Sequence, residues 1–179
     1  MTEVLSQYSV LALYSAMAIY AIALVLFTLD LSGLLTKAPK LARVAMSLTV
    51  LGWILEVAAD VMRGIAAARV PWANMFEFAM TGTSVMVGVF LLVNIKWDLR
   101  FLGSFMTGFV LLLLGLAATR YYVEVVPLPP ALQSYWLVIH VFVATLATGF
   151  FALGFALSLT QLLQASREAA VEKLSLIHI

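Results

Sequence analysis

Five long apolar stretches constrain the fold of this chain more than any other feature. A helix needs about 17 to 25 apolar residues to cross a hydrocarbon core of roughly 30 Å, and five stretches of the chain meet that length. They cover residues 8–29, 44–62, 76–95, 101–118 and 135–163. Helices are the expected form, because a backbone in lipid must satisfy its own hydrogen bonds. The sequence therefore predicts an all-α, polytopic membrane bundle with about five transmembrane helices.

The composition excludes several other classes of protein. Hydrophobic residues make up 64% of the chain and charged residues 11%, far below the roughly 25% charged content of soluble domains. The net charge of +1 and the lack of a basic run with interleaved aromatics argue against nucleic acid as a partner. Without cysteine, this sequence cannot form a thiol relay or attach haem through its own sulfur. The lipid bilayer is its expected surrounding.

The distribution of Lys and Arg predicts the orientation of the bundle. The segments on one side of the predicted membrane carry Lys37, Lys40, Arg43, Lys96, Arg100, Arg167 and Lys173. Those on the other side carry Arg63, Arg69 and Arg120. Because cytoplasmic segments are enriched in basic residues, we expect a multi-pass membrane protein with its N-terminus outside. Residues 1–165 then form a single transmembrane domain, and residues 166–179 form a cytoplasmic tail.

The second apolar stretch carries three charged residues on one helix face. Glu56, Asp60 and Arg63 have the spacing i, i+4 and i+7. Glu56 is the deepest, and an acid at that depth needs a partner or a proton. Two interpretations stay open. Glu56 forms an ion pair with Arg63 or reaches water near the helix end, or the three residues form the polar wall of an external cavity.

A short external segment precedes the third stretch. Residues 69–77 read Arg-Val-Pro-Trp-Ala-Asn-Met-Phe-Glu, so that Asn74 and Glu77 have the spacing of a capping box. In that arrangement the Asn74 side chain accepts from the third helical amide, and the Glu77 carboxylate accepts from the cap amide. Taken alone, this pattern predicts the beginning of a helix.

A proline-rich segment leads into the fifth stretch and its histidine. Three prolines between residues 127 and 130 form a stiff lead-in, and Gln133, Ser134 and Trp136 belong to a polar and aromatic collar. His140 follows about six residues into the helix, roughly 9 Å along its axis. An imidazole at this depth is either a hydrogen-bonded packing residue or a ligand, for example to haem iron. The small residues after it either let helices approach closely or leave room for a flat ligand.

These segments resemble the two external signatures of a known family. Residues 63–64, 69–77 and 130–141 look like those of the system II cytochrome c biogenesis protein of the CcsA/ResC type. Residues 98–100 and 120–124 also fit the actinobacterial variant called CcsB. The resemblance extends over residues 8–163, and the second signature is the more specific.

The resemblance implies a function in cytochrome c maturation. Such a protein, with a ResB-type membrane partner, carries haem b as its transported substrate to the outer face and presents it to apocytochrome c. The resemblance also implies the bacterial plasma membrane as the location. His140 matches the histidine that is an external axial ligand to the haem iron, and only this residue's role is carried over. We expect Gln133, Ser134 and Trp136, in the collar before it, at the rim of the site. Pro71, Asn74 and Glu77 match the other external motif, to which we assign no chemical role.

The resemblance implies catalysis only by a larger complex to which this protein would belong. The family member is the membrane subunit of a cytochrome c haem lyase, or synthase. We assign no catalytic residue, and we expect no activity from this length of chain alone.

The sequence also departs from the family pattern. The family's tryptophan-rich haem-binding segment and further histidines should follow the fifth stretch, and this sequence does not contain them. We therefore expect the N-terminal part of a longer assembly domain, with a non-native end at which His178 has no functional weight. The alternative is a membrane scaffold or transporter subunit in which His140 is a packing or proton-relay residue.

Overall fold

The computed structural model describes residues 2–33, 41–125 and 134–177, with side chains described through residue 171. The described chain forms five α-helices and no strand. They are α1 (Thr2–Ser32), α2 (Leu41–Ala67), α3 (Met75–Lys96), α4 (Gly103–Arg120) and α5 (Tyr135–Ile177), and a short 3-10 helix, Arg100–Leu102, precedes α4. All five helices are long and apolar enough to cross a membrane. The predicted all-α class and the five predicted spans are confirmed.

The last helix differs most from its prediction. It contains 43 residues and continues 14 residues beyond the predicted end at residue 163. At 1.5 Å per residue it is roughly 65 Å long, about twice the thickness of a hydrocarbon core. The segment predicted as a tail from residue 166 therefore begins as a helical continuation of α5.

The first four helices share a common core. The α1 and α2 helices approach closely at Gly52, where an added Cβ would lie 2.7 Å from the Tyr20 ring, so only glycine leaves room for that ring. The α4 helix packs against α1 and α3, and α3 also contacts α2. Fully buried side chains of this core include Leu13, Tyr20, Phe76, Met80 and Leu114.

The α5 helix is attached mainly to α3. An added Cβ on Gly149 would lie 3.2 Å from Val85 and 3.3 Å from Val89, so the two helices nearly touch at this point. Thr145, one turn earlier, is buried on the same face. The interpretation of these small residues as a close helix contact is therefore confirmed at Thr145 and Gly149.

Candidate functional site

The predicted helix cap at Asn74 is confirmed in its first half. The Asn74 Oδ1 atom accepts a hydrogen bond of 2.9 Å from the Glu77 amide, which satisfies an orphan donor of the first turn of α3. The second half of the prediction is wrong. The Glu77 carboxylate accepts a bond of 2.9 Å from the Ala73 amide, one residue before the cap. The carboxylate lies there because two arginines hold it.

Glu77 is the centre of a buried ion cluster. Arg63 Nε donates to Glu77 Oε1 at 3.1 Å, and Arg69 Nη1 donates to Glu77 Oε2 at 2.7 Å. The side chains of Arg63 and Glu77 are fully buried. Buried charges need both a counter-ion and hydrogen bonds. Glu77, on α3, is the counter-ion of Arg63 on α2 and of Arg69 in the α2–α3 connection, and it accepts hydrogen bonds from both. We call Arg63, Arg69, Asn74 and Glu77 the Glu77 cluster.

Arg63 extends this cluster to a third segment of the chain. Its Nη2 atom donates to the carbonyl oxygen of Val123, in the segment after α4. Its guanidinium also lies 4.8 Å from the centre of the Phe76 ring, within the range of a cation–π interaction. The Phe76 ring in turn meets Tyr122 edge to face at 5.2 Å. One buried arginine thus joins the end of α2, the beginning of α3 and the segment after α4.

The α2–α3 connection folds back through an unusual backbone position. Ala68 has a φ of 51°, the left-handed conformation that often ends a helix but that alanine adopts at some cost. The Arg69 amide then donates to the Gly64 carbonyl at 3.1 Å. An added Cβ on Gly64 would lie 3.4 Å from the buried Pro71 ring. Gly64 and Pro71 therefore fit closely against each other and bring Arg69 back toward Glu77.

The polar face of α2 has different partners from those predicted. Glu56 is fully buried and accepts hydrogen bonds from Tyr20 at 2.7 Å and Thr83 at 2.6 Å. The predicted ion pair between Glu56 and Arg63 is wrong, because seven residues separate them by roughly 10 Å along the helix and Glu77 occupies Arg63. Since Glu56 is buried, it is neither water-exposed nor the wall of an open cavity. The cluster of Tyr20, Glu56 and Thr83 joins α1, α2 and α3.

His140 lies on the opposite side of α5 from the contact with α3. Its side chain is exposed, and it makes no hydrogen bond to any other described residue. Nine residues separate it from Gly149, which corresponds to about 180° around a helix of 3.6 residues per turn. The imidazole is therefore free of the bundle core.

His140 is nevertheless level with the Glu77 cluster. In a bundle of alternating passes, α3 and α5 run parallel, and Gly149 lies beside Val85 and Val89. His140 lies nine residues before Gly149 on α5. Nine residues before Val85 and Val89 on α3 are residues 76 and 80, in the turn that contains Glu77. The exposed imidazole and the buried ion cluster thus occupy one layer of the bundle, at the end predicted to face outward.

The collar before His140 is described in part. Ser134 is exposed, and its Oγ accepts from the Trp136 amide at 3.3 Å in the first turn of α5. Trp136 is 77% exposed and lies one turn before His140 on the same face. Gln133 and the proline lead-in lie outside the described residues.

Sequence reasoning missed several residues of these clusters. The sequence alone predicts no contact for Arg69 or Tyr20, yet Arg69 pairs with Glu77 and Tyr20 donates to Glu56. The available signals were the two arginines that flank a single acid across one connection, and a tyrosine in the middle of an apolar span. Neither pattern identifies the partner residue, because the partners come together only when the helices pack.

Five helices of spanning length, with charged side chains buried at one end of the bundle, define a multi-pass helical membrane protein. Residues 70–177, more than half of the chain, match the family described as cytochrome C assembly protein. The chain belongs to this family, which assigns it to the process of cytochrome c biogenesis. The matched region contains both Glu77 and His140.

A curated relative agrees with this assignment. The cytochrome c biogenesis protein CcsA of Trieres chinensis is 32% identical over 95 residues. The alignment covers 51% of this chain and 30% of that protein. The chain thus spans about a third of the length of this relative, and the resemblance to the CcsA type is confirmed.

Proposed function

We propose that the complete protein binds haem at the outer face of the membrane and presents it for covalent attachment to apocytochrome c, with His140 as an axial ligand. The observation that carries this proposal is the exposed imidazole on the uncovered side of α5, level with the Glu77 cluster. Among the described residues no helix packs against this imidazole, which leaves it open to a ligand. A neutral imidazole offers one nitrogen to iron while the other is oriented by a neighbour.

The surface around His140 suits a flat macrocycle. Trp136 lies one turn before it and Ala144 one turn after it, so a bulky aromatic and a small side chain flank the imidazole. A planar ligand coordinated by His140 can lie over Ala144 with Trp136 at its edge. Ser134 then belongs to the rim of the site, and we propose the same role for Gln133, which lies outside the described residues.

In this proposal the Glu77 cluster positions the site and does not touch haem. The carboxylate of Glu77 is fully occupied by Arg63, Arg69 and the Ala73 amide. Arg63 fixes Val123, so the chain leaves α4 toward residue 134 from a defined point. The external motif of Pro71, Asn74 and Glu77 therefore acts by holding the outer turn in place.

The haem is the substrate of the proposed reaction, and the partners supply the remaining parts. Each apocytochrome thiol adds across a haem vinyl group, with sulfur bonding to one vinyl carbon and the proton going to the other. A ResB-type partner completes the membrane complex. Residues 1–165 would form the N-terminal part of the assembly domain in the complete protein.

The test is haem binding by the full-length protein purified from membranes. We expect His140→Ala to weaken the haem absorbance spectrum and added imidazole to restore part of it. Ile139→Ala is the matched control, since Ile139 is an exposed neighbour on the same turn and should leave the spectrum unchanged. An unchanged spectrum in His140→Ala would remove His140 from the ligand set.

The same variant separates this proposal from the scaffold or transporter alternative. In that alternative, cytochrome c matures normally in cells that express His140→Ala at the wild-type level. Under our proposal, maturation falls together with the haem spectrum.

A further inference from the structure

An apolar groove lies between α2 and α3 at the end opposite to the Glu77 cluster. It encloses about 460 Å³ and is lined by Val50, Trp53, Gly88, Leu91, Leu92 and Ile95, among others. The Trp53 indole forms its floor, because Nε1 donates to the Ser84 carbonyl at 2.8 Å and an added Cβ on Gly88 would lie 3.3 Å from the ring. Leu92 and Ile95 are largely exposed at its edge. We call this the α2–α3 groove.

A polar cavity continues the α2–α3 groove at the end of α3. This second cavity encloses about 360 Å³ and includes Lys96, Asp98 and Arg100. Both cavities are lined by Met46, Asn94 and Ile95, so they are contiguous. Together the two cavities form one continuous surface groove, which is apolar along the helices and polar at one end.

The polar end carries more positive than negative charge, since Asp98 and Asp30 face Arg100, Lys96 and Arg43; the Asp30 carboxylate accepts from the Ala42 amide at 3.2 Å. Arg100 is paired with Asp98, and the hydrogen bond from Arg100 lowers the pKa of Asp98 to about 2, so this carboxylate stays ionised at neutral pH. Lys96 lies 4.9 Å from the Trp97 ring and has no carboxylate partner among the described residues. Arg43 lies three residues before Met46 and seven before Val50, on the face of α2 that lines the groove. Two cationic side chains, Lys96 and Arg43, thus lie at one end of the apolar α2–α3 groove.

We propose that the α2–α3 groove binds one anionic phospholipid, with an acyl chain along Trp53 and the phosphate between Lys96 and Arg43. Charge complementarity favours this occupant, because basic pockets between transmembrane helices on the cytoplasmic side bind anionic head groups. The orientation predicted from Lys and Arg puts this end in the cytoplasmic leaflet, where anionic lipids occur. A packed apolar helix would fill the apolar part but would add no negative charge at the end where positive charge is in excess. The site does not involve His140, and its test is independent of haem.

Trp53 provides a direct readout of occupancy in the full-length protein. The protein is reconstituted in phosphatidylcholine nanodiscs with increasing fractions of brominated phosphatidylglycerol or, separately, brominated phosphatidylcholine. Subtracting the fluorescence of Trp53→Phe isolates the signal of Trp53, because bromine quenches an indole only at contact distance. We expect the brominated phosphatidylglycerol to quench Trp53 at a several-fold lower mole fraction than the brominated phosphatidylcholine.

The charged residues at the polar end are tested by substitution. Lys96→Gln and Arg43→Gln should each reduce the preference for phosphatidylglycerol by roughly fivefold, and the double variant should abolish it. Arg167→Gln is the matched control, since it removes a basic residue at the same predicted side of the membrane but away from the groove. Equal quenching by both lipids in the wild type would show a nonselective lipid surface, and no quenching would show that protein covers the groove. Either result overturns the proposal.

Discussion

The Glu77 cluster and the first turns of α5 lie in one layer of the bundle, yet they are built in opposite ways. Around Glu77, two arginines and one backbone amide, that of Ala73, surround one buried carboxylate. Around His140, the described structure has an exposed helix face and no hydrogen bond to the imidazole. The comparison shows that one region fixes the geometry of this end of the bundle and the other leaves an imidazole exposed on a helix surface.

The largest effect is expected where the buried ions are separated. Glu77→Gln leaves Arg63 buried without a counter-ion, and breaking a buried pair in this way costs about 3–5 kcal/mol. The free energy of unfolding, measured by denaturant titration of the purified full-length protein, should fall accordingly. The control is Asp98→Asn, which breaks an exposed pair with Arg100 and should leave the free energy of unfolding unchanged. Equal losses in the two variants would contradict the assigned role of Glu77.

The attachment of α5 to α3 is tested by filling a glycine position. Gly149→Leu places a side chain against Val85 and Val89, and overpacking of this kind costs about 1–3 kcal/mol. Gly154→Leu is the matched control on the same helix, because an added Cβ there meets nothing within 4 Å. Denaturant titration should separate the two variants. If both unfold alike, the contact at Gly149 does not hold α5.

An effect of similar size is expected for the hydroxyl that donates to Glu56. Tyr20→Phe removes a donor of 2.7 Å from a fully buried carboxyl group, which should cost about 1 to 3 kcal/mol. Tyr14→Phe, at an exposed position of the same helix, serves as the control. A stability change in Tyr14→Phe as large as that in Tyr20→Phe would argue against a specific role of the buried hydroxyl.

The smallest effect on stability is expected at His140. An exposed side chain without hydrogen bonds contributes little to folding, so His140→Ala should change the free energy of unfolding by no more than about 0.5 kcal/mol. The measurement is made on haem-free protein, so that ligand binding does not contribute. A loss of several kcal/mol would mean that His140 supports the fold, and the contrast with Glu77 would disappear.

The helices could be predicted from sequence more fully than the contacts between them. Apolar length alone identifies the five spans, because lipid leaves the backbone few other choices. Hydropathy falls after residue 163 and so predicts the end of the fifth span, whereas the α5 helix continues because helix formers such as Glu168 and Ala169 follow without glycine or proline. Hydropathy marks the membrane boundary, and helix propensity marks the helix boundary.

The local contacts of the external motif could also be predicted from the sequence, and its long-range contacts could not. Asn74 and Glu77 are three residues apart, so the capping bond follows from helix geometry. Arg63 lies 14 residues before Glu77, and their pairing depends on how the α2–α3 connection folds back at Ala68. Tyr20 and Glu56 are 36 residues apart, and only the packing of α1 on α2 brings them together.

The bond from Arg63 to the Val123 carbonyl has a consequence for genetics. Under the proposed function, a screen that scores only mature cytochrome would collect mutations at Arg63 alongside mutations at His140, because Arg63 holds the segment after α4 from which the chain continues to α5. Added imidazole distinguishes the two groups, since it replaces a missing ligand but cannot redirect a misplaced helix.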